Sequence, residues 1–177
     1  MVWKTPAPEP KADYRRGRLR YMERDTLLVR EAVESDLDKV LHLYTHLHDA
    51  DGKADDHELR TAWQGLLADP RTRLFLLECG GTPVSTCVLY ILPNLTRGAR
   101  PYGLIENVVT HREFRNRGFG TALLDHALEC AWNENCYKVM LLSGRRDPAV
   151  FRLYEKAGVV RGAKEGLIAY PPPPGDL

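Results

Sequence analysis

The sequence predicts an α/β domain in which a mixed sheet is flanked by helices, and two observations lead to this fold class. Apolar segments of strand length alternate along the chain with segments whose apolar residues recur at the helical period. The length of 177 residues suits one domain with a sizeable core. The formal net charge of +1 does not favour a polyanionic partner, so no nucleic-acid binding is expected.

Signals for membrane insertion and export are missing from the sequence. No stretch approaches the roughly 18 apolar residues that a membrane span needs, and the first residues contain no apolar signal core. None of the four cysteines belongs to a Cys-x-x-Cys pair, and their apolar neighbours favour buried thiols. We therefore expect a cytoplasmic protein with no membrane partner.

The amino-terminal half of the domain is predicted to contain three strands and two helices. Ser35 or Asp36 can cap the first helix, and Asp69-Pro70 ends the second, because proline restricts the residue before it. Gly80-Gly81 is a hairpin signal between two strand-like segments. The predicted elements are a strand over 27–33, a helix over about 36–48, a helix over 58–68, and strands over 73–79 and 82–92.

The carboxyl-terminal half is predicted to begin with a strand over 104–110 that leads directly into a helix. Strict alternation along this strand would place Ile105 and Val109 on one face and Glu106 on the other. From Gly120 onwards, apolar residues fall at i, i+3, i+4, i+7, i+8 and i+11, which marks the helix. The remaining predicted elements are a strand over 138–142, a helix containing Tyr154, and two last strands over 159–162 and 166–170.

Two terminal segments differ in composition from the domain, which we place at 26–171. Residues 1–25 contain five arginines within 15–24, which is typical of a flexible, solvated basic arm. Binding of a phosphate group or a neighbouring subunit by these arginines is the alternative. Residues 172–177 form a Pro-rich tail, because the prolines cannot donate to a sheet ladder.

The most informative segment joins the strand over 104–110 to the helix after it. It reads Arg115-Asn116-Arg117-Gly118-Phe119-Gly120, and its two glycines permit a tight turn and the close approach of a ligand. Amides at the start of a helix point outward at the positive end of its dipole, which suits a pyrophosphate. The segment lacks the third glycine of a dinucleotide fingerprint and the Gly-Lys-Ser/Thr of a P-loop. An ordinary turn with nothing bound is the alternative.

This segment resembles the Arg/Gln-x-x-Gly-x-Gly/Ala signature of the GNAT superfamily, the acetyl-CoA-dependent N-acetyltransferases. Phe114-Arg115 is similar to the family's aromatic-Arg pair. Residues 151–159 resemble the family's second signature, a helix that carries a tyrosine and ends in Gly-Phe, with Val159 in place of the phenylalanine. The resemblance covers about 26–170. It implies the GNAT fold, a mixed, mostly antiparallel sheet that is splayed at the cofactor site and flanked by helices.

The resemblance also implies acetyl-CoA as the cosubstrate and assigns residues to it. Backbone groups at the strand end would pair with the pantetheine arm, amides of the turn would hold the pyrophosphate, and Arg115 would add positive charge. In the absence of such a ligand, Arg115 and Arg117 would be solvated turn residues. The implied cofactor-binding residues are Val108, Val109, Thr110, Arg115, Arg117, Gly118, Phe119, Gly120 and Thr121.

Two catalytic side chains are expected from the same resemblance, Tyr154 as general acid and Glu106 as general base. A phenol with a pKa of about 10 is protonated at neutral pH and can donate to a departing thiolate. A carboxyl group among apolar neighbours can have a raised pKa and take a proton from an ammonium. The alternatives are that Tyr154 is a core aromatic, and that Glu106 pairs with an arginine or orients the amine by charge alone. Asn107 is a further candidate for a substrate contact.

Several other polar residues have simpler explanations, and no metal site is predicted. His42 and His46 stand at i and i+4 on one helix, but no third ligand has a suggestive spacing. His111, after the strand over 104–110, is predicted to be a solvent-facing loop residue. Asp147 followed by Pro148 is predicted to cap the helix that contains Tyr154.

The expected acceptor is a small molecule with a primary amine, either a simple amine or an amino sugar. Acidic residues over 49–58 favour a cationic amine, whereas Arg97 and Arg100 favour a negatively charged acceptor. Residues 104–109 and 154–158 are similar to the aminosugar-phosphate branch of the superfamily. A protein or peptide amine is the second acceptor class, and a non-catalytic acetyl-CoA-binding sensor or interaction module is a second class of function. Homodimers are common in the family, so the resemblance also admits a homodimer.

Overall fold

A computed structural model of the chain describes residues 27–47, 54–145 and 147–171, and its centre is a five-stranded sheet. Neighbouring strands are antiparallel except for the last pair, which is parallel. In spatial as well as chain order, the strands are β1 (Leu27–Glu31), β2 (Thr72–Cys79), β3 (Thr82–Leu92), β4 (Tyr102–Thr110) and β5 (Val139–Leu141). The helices are α1 (Leu37–Tyr44), α2 (Asp56–Ala68), the short α3 (Thr96–Ala99), α4 (Phe119–Asn133) and α5 (Pro148–Lys156). The predicted mixed, mostly antiparallel sheet is confirmed.

Helices cover both faces of the sheet, and each face has its own core. Alternation along β2 supplies both cores, since Phe75 packs in the cluster with α4 and Leu76 in the cluster with α1 and α2. Both side chains are almost fully buried. Burial of one such side chain contributes about 1.5–3 kcal/mol to folding, so the two clusters fix which helix lies on which face.

A buried ion-pair cluster fixes the start of α1. The carboxylate of Asp36 is 1% exposed and accepts hydrogen bonds from Arg30 at 2.6 and 3.0 Å and from Lys39 at 2.8 Å. Arg30 also donates to Glu78 on β2 at 2.6 Å. The guanidinium of Arg30 holds the pKa of Asp36 well below its usual range. This cluster ties α1 to β1 and β2, and it uses the Asp36 side chain that the sequence assigned to helix capping.

The strand β4 does not alternate strictly, so the prediction of one face for Ile105 and Val109 is wrong. Ile105 packs in the cluster with α4, and Val109 packs in the cluster with α1. The register between β3 and β4 shifts between Thr86 and Val88, where β4 has one extra residue. Asn107 in this stretch adopts a left-handed conformation with φ 53°. A β-bulge of this kind re-aims the side chains that follow it.

The two last predicted strands, over 159–162 and 166–170, are absent. Residues 157–171 form turns and irregular structure, and Leu167 and Ile168 are 93% and 63% exposed. The composition of these two segments is typical of strands, but a strand also needs the edge of a neighbouring strand with which to form hydrogen bonds. The adjacent β5 is only three residues long and offers few backbone groups for pairing. The basic arm at 1–25 and the Pro-rich tail at 172–177 lie outside the described residues. Within the described part of the chain, no helix is long and apolar enough to cross a membrane.

Candidate active site

The sheet opens between β4 and β5. Pairing between these strands covers only Gly103, Leu104 and Ile105, opposite residues 139–141. Residues 106–110 pair with β3 on one side and with no described strand on the other. We call residues 102–105 the paired half of β4 and residues 106–110 the open half. The open half presents a strand edge that no described strand covers, although the carbonyls of Val109 and Thr110 already accept hydrogen bonds from Ser85 and Arg115.

The predicted Gly turn leads from the open half into α4. Gly118 has φ 90°, a left-handed conformation that favours glycine, and α4 begins at the next residue. The N-cap of α4 is Gly118, which has no side chain to bond the first amides, so in the described part of the chain the positive end of α4 is open to an anion. A Cβ on Gly120 would lie 3.1 Å from Thr110 Oγ1 and 3.2 Å from Leu153 Cδ1. The glycine therefore allows α4 to start in contact with both the end of β4 and α5.

The two arginines of the turn have different environments. Arg115 Nε donates to the carbonyl of Thr110 at 3.1 Å, and its Nη2 donates to the carbonyl of His46 at 3.0 Å. Arg115 therefore ties the turn to the end of β4 and to the segment after α1, and it is not a freely solvated residue. Arg117 is exposed, with its guanidinium 5.2 Å from the centre of the Phe114 ring.

Tyr154 and Glu106 lie close enough to influence each other. Tyr154 on α5 is half-buried against the core under α4. Burial raises the pKa of its phenol, the nearby Arg145 opposes the rise, and the charge of Glu106 adds to it. Glu106 is half-buried on the open half, and burial raises the pKa of its carboxyl group as well. The fold thus brings the predicted acid and the predicted base to the place where the sheet opens.

Two further tyrosines surround this position and were not identified from the sequence. Burial raises the pKa of Tyr44, on α1, to about 12, and the nearby side chain of Asn107 opposes the rise. The pKa of Tyr90, on β3, is raised by burial and by the charge of Glu106. In the sequence Tyr44 belongs to the apolar stripe of a helix and Tyr90 to a strand, so both are typical of core residues. Tyr44 approaches Asn107 at the bulge in β4, whereas Tyr90 approaches Glu106 through the regular pairing of Val88 with Glu106 and of Tyr90 with Leu104.

The charged residues expected to frame the acceptor are mostly engaged in local structure. Asp55 and Glu58 form the capping box of α2, and Asp56 pairs with Arg60 at 2.9 Å. Arg100 donates to the carbonyls of residues 135 and 136. These side chains therefore contribute to local structure, and the guanidinium of Arg97 lies 6.0 Å from the centre of the Tyr137 ring. Asp49 and Asp51 lie outside the described residues.

The structure confirms the predicted helix cap at Asp147 but differs from the prediction for the histidines. Asp147 caps α5, as expected, because its carboxylate accepts from the amide of Ala149 at 2.8 Å. His111 is half-buried instead of facing solvent, and its ring centre is 4.1 Å from that of His46. His42 lies beside both rings, so the fold supplies the third histidine that the spacing along the chain did not.

The chain is similar in sequence and fold to proteins described as acetyltransferases. Residues 37–159 match the family described as Acetyltransferase (GNAT) family. A glucosamine 6-phosphate N-acetyltransferase from Trypanosoma brucei brucei is 34% identical over 132 residues, which cover 75% of this chain and 88% of the relative.

Solved structures agree with this relationship. A candidate acetyltransferase from Agrobacterium tumefaciens str. C58 is 43% identical, has a TM-score of 0.76, and matches over 81% of this chain and 99% of its own. Glucosamine-6-phosphate N-acetyltransferase from Arabidopsis thaliana has a TM-score of 0.71 over 82% of this chain and 99% of its own; its identity of 21% supports the fold alone. The open sheet, the Gly turn and these relatives lead to one conclusion: the chain belongs to the GNAT family and is an N-acetyltransferase.

Proposed function

We propose that the protein transfers an acetyl group from acetyl-CoA to the primary amine of a small molecule, with an amino sugar phosphate as the first acceptor class. GNAT acetyltransferases use acetyl-CoA. The observation that carries the proposal is the open half of β4, which has the uncapped start of α4 at its end and Glu106 within electrostatic reach of Tyr154. These features together offer an anion site, a strand edge and two proton-transfer groups.

The residues around the turn fit the phosphate and amide groups of acetyl-CoA. The amides of Gly118, Phe119, Gly120 and Thr121 stand at the uncapped start of α4, where a pyrophosphate is favoured. Arg117 is exposed beside them and would add positive charge, whereas Arg115 would act mainly by fixing the turn. Val108, Val109 and Thr110 lie on the open half and would offer backbone groups to the pantetheine amides.

We propose Tyr154 as the general acid and Glu106 as the general base of a direct transfer. The acceptor amine must lose a proton, and the raised pKa of Glu106 brings this carboxylate closer to the working pH of a base. The neutral amine then attacks the thioester carbonyl, a C–N bond forms, and the C–S bond breaks with its electron pair on sulfur. The new amide nitrogen releases its extra proton to solvent, from which the general acid regains the proton that it gives to sulfur. Because its pKa is raised, Tyr154 is protonated at neutral pH and can donate to the departing thiolate.

An amino sugar phosphate is proposed as acceptor because of the relatives and not because of a pocket. The relative from Trypanosoma brucei brucei acts on glucosamine 6-phosphate, and it matches three quarters of this chain. Tyr44, Tyr90 and Asn107 supply hydroxyl and amide groups beside Glu106, which suits a polar acceptor with several hydroxyl groups.

The test is a thiol-release assay with acetyl-CoA and a panel of amines. The panel contains glucosamine 6-phosphate, glucosamine, a polyamine and a peptide with a free amino terminus, and binding of acetyl-CoA alone is measured by calorimetry. We expect turnover with glucosamine 6-phosphate and much less with the peptide. Turnover with the peptide alone would contradict the acceptor class. Acetyl-CoA binding without turnover on any amine would favour a sensor instead.

We also propose that the chain forms a homodimer. The segment after α5 exposes Val160, Leu167 and Ile168, and a second copy would remove these apolar side chains from water. Light scattering at micromolar concentration should give twice the mass of one chain. A monomeric mass across the concentration range would contradict the dimer.

A further inference from the structure

We propose that His42, His46 and His111 form a binding site for a divalent transition-metal ion such as Zn²⁺, between the end of α1 and the end of β4. One nitrogen from each imidazole lies within 4.8 Å of the other two. The three histidines come from positions that are up to 69 residues apart, since His42 and His46 are on α1 or its last turn and His111 follows β4. Imidazole nitrogen is a preferred ligand of Zn²⁺, Co²⁺ and Ni²⁺.

The three rings lie near one another, with their ligand nitrogens within 4.8 Å, which is wider than coordination to one ion requires. The ring centres of His46 and His111 are 4.1 Å apart, and His42 is 5.6 and 5.8 Å from them. Three nitrogens on one tetrahedral zinc ion lie about 3.3 Å from each other, as Zn–N bonds of about 2.0–2.1 Å require. His42 is exposed, so its ring can turn toward the other two with little repacking.

His46 has a buried ring nitrogen. Among residues 27–47, 54–145 and 147–171, its Nε2 has no hydrogen-bond partner, which is costly for a buried polar atom. An imidazole nitrogen in this position can offer its lone pair to a metal ion.

Two arginines lie beside the histidine cluster, and their positive charges oppose the binding of a cation. Arg112 Nε donates to His46 Nδ1 at 3.3 Å, and Arg115 donates to the His46 carbonyl at 3.0 Å. Coordination through Nε2 would place the proton of His46 on Nδ1, so the exposed Arg112 side chain would have to turn away. Solvent screens the repulsion from such an exposed guanidinium. Removal of Arg112 should therefore strengthen metal binding, while removal of any of the three histidines should weaken it.

A bound ion would connect α1 to the segment that leads into the Gly turn. His111 begins this segment, and Arg115 in the same segment already contacts the carbonyl of His46. An ion held by both sides would stabilise the folded state in proportion to its concentration. This proposal rests on the histidine geometry and is independent of acetyl transfer, so each can fail without the other.

The test uses the full chain without an affinity tag, stripped with a chelator. Zn²⁺ binding is measured by calorimetry, and Co²⁺ binding by its visible absorption, for wild type and for the variants His42→Asn, His46→Asn and His111→Asn. His57→Asn is the matched control, because His57 is exposed on α2 and outside the cluster. We expect one Zn²⁺ per chain, binding at least about tenfold weaker in each cluster variant, no change in the control, and several-fold tighter binding in Arg112→Gln.

Thermal unfolding keeps the test decisive if a variant alters the fold. Zn²⁺ should raise the Tm of wild type and of His57→Asn but not that of His42→Asn, whose exposed side chain can be replaced without disturbing the core. The proposal is overturned if wild type binds no stoichiometric Zn²⁺ or Co²⁺. It is equally overturned if the His42, His46 and His111 variants bind these ions as well as the control.

Discussion

The two halves of β4 belong to one strand but have opposite surroundings. The paired half lies between β3 and β5, and its Gly103 amide donates to the carbonyl of Lys138 at 2.9 Å. The open half has a strand on one side only, contains the left-handed Asn107, and carries Glu106 with its raised pKa. A strand that pairs on both sides uses its backbone N–H and C=O groups to stabilise the sheet. A strand that pairs on one side only leaves the groups of its other edge for a ligand. The difference places the predicted chemistry of this fold at the opening in its sheet.

The largest expected effect comes from a side chain placed at the end of the open half. Gly120→Glu puts a carboxylate at the uncapped start of α4. Its Cβ would lie 3.1 Å from Thr110 Oγ1 and 3.2 Å from Leu153 Cδ1. The new side chain would repel a pyrophosphate by its negative charge and would occupy part of its space. We expect acetyl-CoA binding, measured by calorimetry, to weaken by at least about a hundredfold, a loss of about 2.7 kcal/mol.

The control for this change is Gly65→Glu on α2, where an added Cβ meets no atom within 4 Å. It should bind acetyl-CoA like wild type. Circular dichroism and the Tm of Gly120→Glu establish that it is folded. A folded Gly120→Glu protein with normal affinity would remove the pyrophosphate from this turn.

The next effect concerns proton donation beside the open half. Tyr154→Phe removes the phenol but keeps the ring in the core under α4, so acetyl-CoA affinity should stay and kcat should fall by about tenfold or more. Tyr102→Phe removes a hydroxyl group from the paired half and should leave kcat unchanged. Equal kcat values for the two variants would exclude Tyr154 as the general acid.

A smaller effect, with a distinct pH signature, is expected at Glu106. A base acts only when ionised, so kcat/KM of wild type should fall as the pH is lowered through the pKa of Glu106, which burial raises above its usual value of about 4.3. Glu106→Gln should lower kcat at pH 7, by less than Tyr154→Phe does, and should lose this acidic limb. Glu155→Gln, an exposed control on α5, should retain it. An unchanged limb in Glu106→Gln would assign the base to another group.

The smallest catalytic effect is expected in the paired half. A Cβ on Gly103 would lie 3.0 Å from Val139 Cγ2 and 3.1 Å from Leu89 Cδ1, so Gly103→Ala overpacks the contact between β4 and β5. Urea unfolding should show a loss of about 1–2 kcal/mol in the free energy of unfolding, with kcat within twofold of wild type. A large loss of kcat with little loss of stability would contradict the division of β4 into two halves.

The sequence predicted those parts of the molecule that depend on local signals. The Gly turn into α4, the hairpin between β2 and β3, and the Asp147 cap of α5 each depend on residues within a few positions of one another. Apolar periodicity likewise predicted the buried stripe of α4, including Leu123 and Leu124.

The failures have a common physical cause, which is dependence on partners distant in the chain. The bulge at Asn107 follows from the register between β3 and β4, and no residue pattern within β4 reveals it. The prediction of strands over 159–162 and 166–170 was wrong because a strand-like composition does not provide the edge of a neighbouring strand for pairing. The third histidine of the cluster could not be identified from spacing, because 65 residues separate His46 from His111. The sequence did not identify Tyr44 and Tyr90 as site residues for the same reason, because within its own helix or strand each is typical of a core residue.

The most direct test of the account is a titration of the isotopically labelled protein with acetyl-CoA, followed by backbone amide NMR. We predict that the largest shifts fall on the amides of 108–110 and 117–121, while those of 102–105 in the paired half barely move. Equal shifts in both halves of β4, or the largest shifts at a site away from the turn, would contradict the claim that the opening in the sheet is the acetyl-CoA site.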